Sequence, residues 1–206
     1  MKSAAAKSHA SSSANRLRII GGRWRGTKLH FPDVAAIRPT PDRVRETLFN
    51  WLQGDINDSR CLDLFAGSGA LGLEALSRGA SAVTFVDREM VIGKYLRDTL
   101  QRLHCEQGAV VTTDALTFLH RQVSPVDIVF LDPPFADSNV LSQACALLES
   151  RGWLNTQAWI YIECPAQINL AADITDWPAN WRVHRSKTAG QVGYHLVRRL
   201  TTSQSE

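Results

Sequence analysis

Residues 60–87 read RCLDLFAGSGALGLEALSRGASAVTFVD, and the fold is decided here. A short apolar run, Arg60–Phe65, gives way to a glycine-rich loop. A Leu/Ala-rich helical stretch follows, over Ala70–Arg78, and then a second apolar run, Ala82–Val86, which ends on Asp87. Strand, loop, helix and strand in so few residues form a parallel crossover unit. Gly67, Gly69 and Gly72 fall at the GxGxxG spacing between the strand and the helix. Glycines there let the backbone come close to a ligand, and an acid at the end of the next strand accepts hydrogen bonds from a ribose. Ala66, Gly67, Ser68, Gly69 and Asp87 are therefore cofactor-binding candidates, with Arg88 beside them.

The same rhythm continues outward. Strands are expected at Ala109–Thr112, Asp127–Leu131 and Trp159–Glu163, and helices at Arg88–Leu103, Ala115–Arg121 and Ser138–Leu148. Continuous Val/Ile/Leu/Phe runs alternating with helices predict a parallel sheet covered on both faces. Trp181–Lys187 and Tyr194–Leu200, with a glycine turn and no helix between them, predict an antiparallel hairpin. Upstream, LRIIGGRWRGTKLHF from Leu17 predicts another hairpin. In RPTPDRVRETLFNWL, Thr40 is the expected N-cap and Pro41 the first helical residue.

Two acids narrow the cofactor. Asp63, just before the glycine loop, disfavours a pyrophosphate by charge repulsion and suits the ammonium of an amino-acid-like group. Asp114, in TTDAL with Ala115, is placed either to accept from an adenine amine or to cap the helix that follows. The chemistry itself falls to Asp132-Pro133-Pro134-Phe135, which ends the run DIVFLDPPF. Consecutive prolines stiffen the turn and remove two donors. One carboxylate and a proline carbonyl then form a pair of acceptors for both hydrogens of a planar amine, and Phe135 offers a face for base stacking. Holding the amine so frees its lone pair for attack on a sulfonium methyl.

Charge is unevenly distributed. The 206 residues carry a formal +3, but residues 1–45 hold ten Lys/Arg against Asp33 and Asp42, a net +8. The remainder holds 13 basic and 18 acidic residues, a net −5. Arg16, Arg18, Arg23, Arg25, Lys28, Arg38 and Arg43, interleaved with Trp24, are candidate contacts to a nucleic-acid backbone. Arg45, like Arg43, stands at a helix start that does not favour cations, which suggests an anionic partner. Cys61, Cys105, Cys145 and Cys164 form no CxxC pair, so reduced thiols, a cytoplasmic setting and no metal are expected. No apolar run is long enough to span a membrane. Residues 1–15 and 201–206 read as tails, 16–53 as a basic RNA-binding extension, and 54–200 as the catalytic domain.

DLFAGSGALG, Asp87 and DPPF together resemble the Rossmann-like amino-methyltransferases that use S-adenosylmethionine. With the RIIGGRWRGTKL hairpin, RPTPDRVRETLFNWL and VDIVFLDPPF, the chain from Arg16 to Leu200 closely resembles the RsmD family of bacterial small-subunit rRNA methyltransferases. That resemblance implies an α/β class I methyltransferase fold, with a seven-stranded, mostly parallel sheet whose last strand is antiparallel. It also implies S-adenosylmethionine as donor and, as acceptor, the N2 of guanine 966 in 16S rRNA. The partner it implies is the assembled or assembling small subunit, met by a monomer. The residues alone specify only an exocyclic amine. A DNA adenine-N6 methyltransferase, an NAD-dependent oxidoreductase and a non-catalytic ribosome-assembly factor stay open as rivals.

Overall fold

The computed structural model describes residues 15–34, 39–134 and 138–201. Two short strands, β1 (Arg16–Arg18) and β2 (Lys28–His30), pair antiparallel, and helix α1 (Asp42–Trp51) follows. Strand and helix then alternate through β3 (Arg60–Asp63), α2 (Ala70–Ser77), β4 (Ala82–Asp87), α3 (Met90–Arg102), β5 (Gly108–Thr112), α4 (Ala115–Leu119), β6 (Val126–Leu131), α5 (Ser138–Ser150) and β7 (Leu154–Pro165). A short α6 (Leu170–Asp173), not anticipated from the sequence, precedes β8 (Trp181–Ala189) and β9 (Val192–Arg199). Most boundaries match expectation to within a few residues. The largest difference is β7, expected as five residues and observed as 12.

Seven strands form one sheet in the order β5-β4-β3-β6-β7-β9-β8, and β9 runs antiparallel between β7 and β8. This is the class I methyltransferase arrangement that the family resemblance implied. Strand order reverses between β3 and β6, which leaves a crevice at the carboxyl ends of those strands.

Side chains alternate across the strands and build two cores. Cys61, Phe85, Ile128, Phe130 and Tyr161 pack under α1, α2 and α3. Leu62, Val86, Val129, Leu131 and Ile162 pack under α4 and α5. Leu17, Ile19, Leu29 and Phe31 of the N-terminal hairpin belong to the first cluster, so the basic segment shares its core with the sheet.

Gly72 sets the closeness of α2 to the sheet, since a Cβ there would lie 2.2 Å from Cε1 of the fully buried Phe85. Gly72→Ala should therefore lower unfolding free energy by about 1–3 kcal/mol through overpacking, read by denaturant titration.

No helix among the described residues is long and apolar enough to cross a membrane. All four cysteines are buried and free.

Candidate functional site

Parallel strands deliver their carboxyl ends to one edge, and the acids sit there. Alternation places Asp63, Asp87, Asp132 and Glu163 on the sheet face that also carries Phe85, Phe130 and Tyr161. The loop between β3 and α2 is held by backbone and carboxylate together. Gly67 and Gly69 take positive φ, 47° and 75°, and Gly69 N–H donates to the Ala66 carbonyl at 2.7 Å. A Cβ on Gly69 would come within 2.6 Å of Leu96. Ser68 is buried in the loop.

Asp63 and Asp87 tie this loop from both sides. The Gly72 N–H donates to Oδ2 of Asp63 at 2.9 Å, so one oxygen of the acid expected to face an ammonium also secures the first turn of α2. Burial pushes the Asp63 carboxyl up to about 7. Asp87 accepts from Gly67 N–H at 2.8 Å and from Glu89 N–H at 2.9 Å. Burial raises its pKa against those two bonds, and the side chain keeps partial exposure. A ribose hydroxyl can still donate to such a carboxylate, because each oxygen accepts more than one bond. The loop thus has the positive-φ glycines and the neighbouring acid that an adenosine-containing cofactor needs. Arg88 is exposed and pairs with Glu89, and Ala115 is buried as the first residue of α4.

Asp114 makes the helix cap with one of its two oxygens and is exposed. Its Oδ1 accepts from Thr117 N–H at 2.9 Å and caps α4. A short polar side chain one residue before a helix satisfies an otherwise open N–H, and that local bond is made here.

Asp132 follows β6 across the crevice from the glycine loop, with Pro133 and Pro134 after it. Burial first, then the Glu163 charge and then that of Asp63, hold its carboxyl well above the usual carboxylate range. Phe135, the proposed stacking face, and Arg38 lie outside the described residues.

Sequence reasoning missed Glu163. It ends the apolar run of β7 and is buried, and its Oε1 accepts from Thr40 Oγ1 and Tyr161 Oη, each at 2.9 Å. The available signal was an acid closing a strand at the same edge as Asp63 and Asp132. Pro41, not Thr40, takes the N-cap position of α1, without a side-chain bond, and the Thr40 hydroxyl one residue earlier donates to the buried Glu163 carboxylate.

The basic residues divide. Arg16, Arg23, Arg25, Lys28 and Arg43 are exposed; Arg23 lies over the Trp24 ring at 5.8 Å, and Arg18 pairs with Asp42 at 2.9 Å. Arg45 corrects the expectation of a cation offered to a partner. It is 1% exposed and binds the Thr40 and Arg18 carbonyls, Asp42 and Glu74. Trp24 is half-buried, and its backbone N–H donates to Ser77 Oγ at 2.9 Å, which fixes the hairpin loop against the end of α2.

Comparison with known proteins agrees with this geometry. A family model described as conserved hypothetical protein 95 matches residues 17–198. Ribosomal RNA small subunit methyltransferase D of Escherichia coli is 47% identical over 95% of this chain and 96% of its own length. The chain belongs to the RsmD family. The Haemophilus influenzae protein of the same name is 46% identical over 87% of this chain and 92% of its own. Among solved structures, yhhF of Escherichia coli superposes with a TM-score of 0.83 at 48% identity, covering 91% of this chain and 99% of that one. Its RsmD relatives thus match the basic N-terminal segment as well as the sheet.

Proposed function

We propose that this chain transfers a methyl group from S-adenosylmethionine to the exocyclic N2 of a guanine in small-subunit 16S rRNA, guanine 966 by family resemblance, on the assembled or assembling subunit. The reading rests above all on Asp132 and its two prolines, set across the strand-order crevice from the glycine loop. The small-subunit rRNA methyltransferases with which the chain shares nearly half its residues support the substrate class.

The cofactor supplies an electrophilic methyl on a sulfonium and leaves as a neutral thioether. Asp63 and Asp87 hold the loop that receives it, and their charge suits a cationic ligand. Asp132 and the Pro133 carbonyl accept the two hydrogens of the target amine and turn its lone pair toward the methyl group. Arg16, Arg18, Arg23, Arg25, Lys28, Arg38 and Arg43 hold RNA phosphates, with Trp24 among them. The working unit is a cytoplasmic monomer.

The test is transfer of tritiated methyl from S-adenosylmethionine, comparing small subunits, free 16S rRNA and duplex DNA. Label in subunit RNA, recovered as N2-methylguanine, is expected. Label confined to DNA would overturn the assignment.

A further inference from the structure

Asp132 and Glu163 stand side by side at the edge of the sheet. The β6–β7 ladder pairs Leu131 with Ile162, so the next residues on both strands are these two acids, on adjacent backbones about 4.8 Å apart. Among the described residues, no Lys or Arg forms an ion pair with either. The nearby cation, Arg45, is held by Thr40 O, Arg18 O, Asp42 and Glu74. The other titratable groups around the pair are Asp63 on β3, Tyr161 and Cys164 on β7, and Tyr194 and His195 on β9. Burial keeps the Tyr161 phenol and the Cys164 thiol neutral and disfavours a charge on His195. Glu163 is buried and Asp132 half-buried, and two neighbouring carboxylates in such a site without a paired cation do not both stay ionised.

We propose that Asp132 and Glu163 act as one proton-holding pair whose charge follows that of the ligand, fully ionised beside a sulfonium and singly protonated beside a thioether. This rests on the methyl-transfer reading above. As the amine nitrogen bonds to the methyl carbon, the carbon–sulfur bond breaks and its electron pair stays on sulfur. The positive charge passes to the methylated nitrogen, which gives one proton to Asp132, and no further reactant is required. Glu163 shares that proton. Its Oε1 is already fixed by Thr40 and Tyr161, so the carboxyl cannot swing away. The pKa directions agree: burial raises Glu163 against its two hydrogen bonds, and burial, then the charges of Glu163 and Asp63, raise Asp132.

The test needs no RNA. Apoprotein at pH 7 is titrated with S-adenosylmethionine and, separately, with S-adenosylhomocysteine, and protons released are read with an indicator dye in weak buffer. The sulfonium ligand should release up to about one proton more per site than the thioether. Glu163→Gln keeps an oxygen for Thr40 and Tyr161 but removes the second charge. It should abolish most of that difference and move the acid limb of the rate profile to lower pH. Equal release by the two ligands in the wild type overturns the proposal whether or not the variant folds. An unchanged difference in a folded Glu163→Gln protein also overturns it. Absence of RNA methylation, by contrast, would count against the proposed substrate.

Discussion

Asp132→Ala should lower single-turnover methyl transfer by about 100-fold or more while leaving S-adenosylmethionine affinity within a factor of a few. The amine on a purine ring is a weak nucleophile because its lone pair is delocalised. A fixed acceptor aimed along an N–H bond favours the pyramidal form, and its removal forfeits stabilisation that is strongest in the transition state. By analogy with the loss of one oxyanion-hole donor, that stabilisation is about 3–4 kcal/mol. Stability separates this loss from misfolding. Asp132 is a carboxylate held above its ordinary pKa by burial and by the charges of Glu163 and Asp63. A carboxyl held above its ordinary pKa costs stability at neutral pH, so the variant should unfold no earlier than the wild type. Turnover near the wild-type rate in a folded variant would take Asp132 out of the mechanism.

How much of this was legible in the sequence depends on the range over which each residue acts. The alternation of apolar runs with helical stretches reports burial on both sheet faces, a property of each segment alone, so the strands and the doubly covered sheet could be read directly. The positive-φ turn of the glycine loop and the place of Asp132-Pro133-Pro134 at the end of a strand could be read for the same reason, since each is a contiguous stretch. Glu163, Thr40 and Arg45 could not. Their roles rest on contacts between Thr40 and Glu163, 123 residues apart, and between Arg45 and Glu74, 29 apart. Thr40 followed by Pro41 has the local form of a helix start, and only the folded chain shows that the helix begins at Asp42 and that the Thr40 hydroxyl donates to Glu163. Asp114 shows the converse: its bond to Thr117 is local, so the helix cap was visible in the sequence. Charge counting placed Arg45 with the exposed cations, because it cannot tell a solvated guanidinium from one enclosed by carbonyls and carboxylates.

Glu74→Ala should destabilise the fold by about 3–5 kcal/mol, the range for removing one partner from a buried ion pair. The side chain is fully buried, yet it meets four donors. Oε2 accepts from Ile20 N–H at 2.9 Å and from Arg45 at 3.4 Å; Oε1 accepts from Gly21 N–H at 2.8 Å and from Arg78 at 2.7 Å. Removing the carboxylate leaves two backbone N–H groups and the enclosed Arg45 charge without this acceptor, and each is costly away from water. At this chain length the melting temperature should fall by about 10 °C. Arg45→Met combined with Glu74→Leu should cost less than the sum of the single changes, because the double variant leaves neither charge unpaired. A loss below about 1 kcal/mol for Glu74→Ala would show that water or rearranged side chains replace the contacts. The consequence reaches function through geometry. Glu74 lies on the helix that starts at the glycine loop, and it holds Ile20 and Gly21, which lead into the turn bearing Arg23, Trp24 and Arg25. One buried carboxylate thus sets the distance between the segment proposed to grip RNA and the loop proposed to hold the methyl donor. In Glu74→Gln, where one acceptor oxygen survives, RNA affinity should fall before cofactor affinity does, since the hairpin loses its anchor while Asp63 still secures the loop.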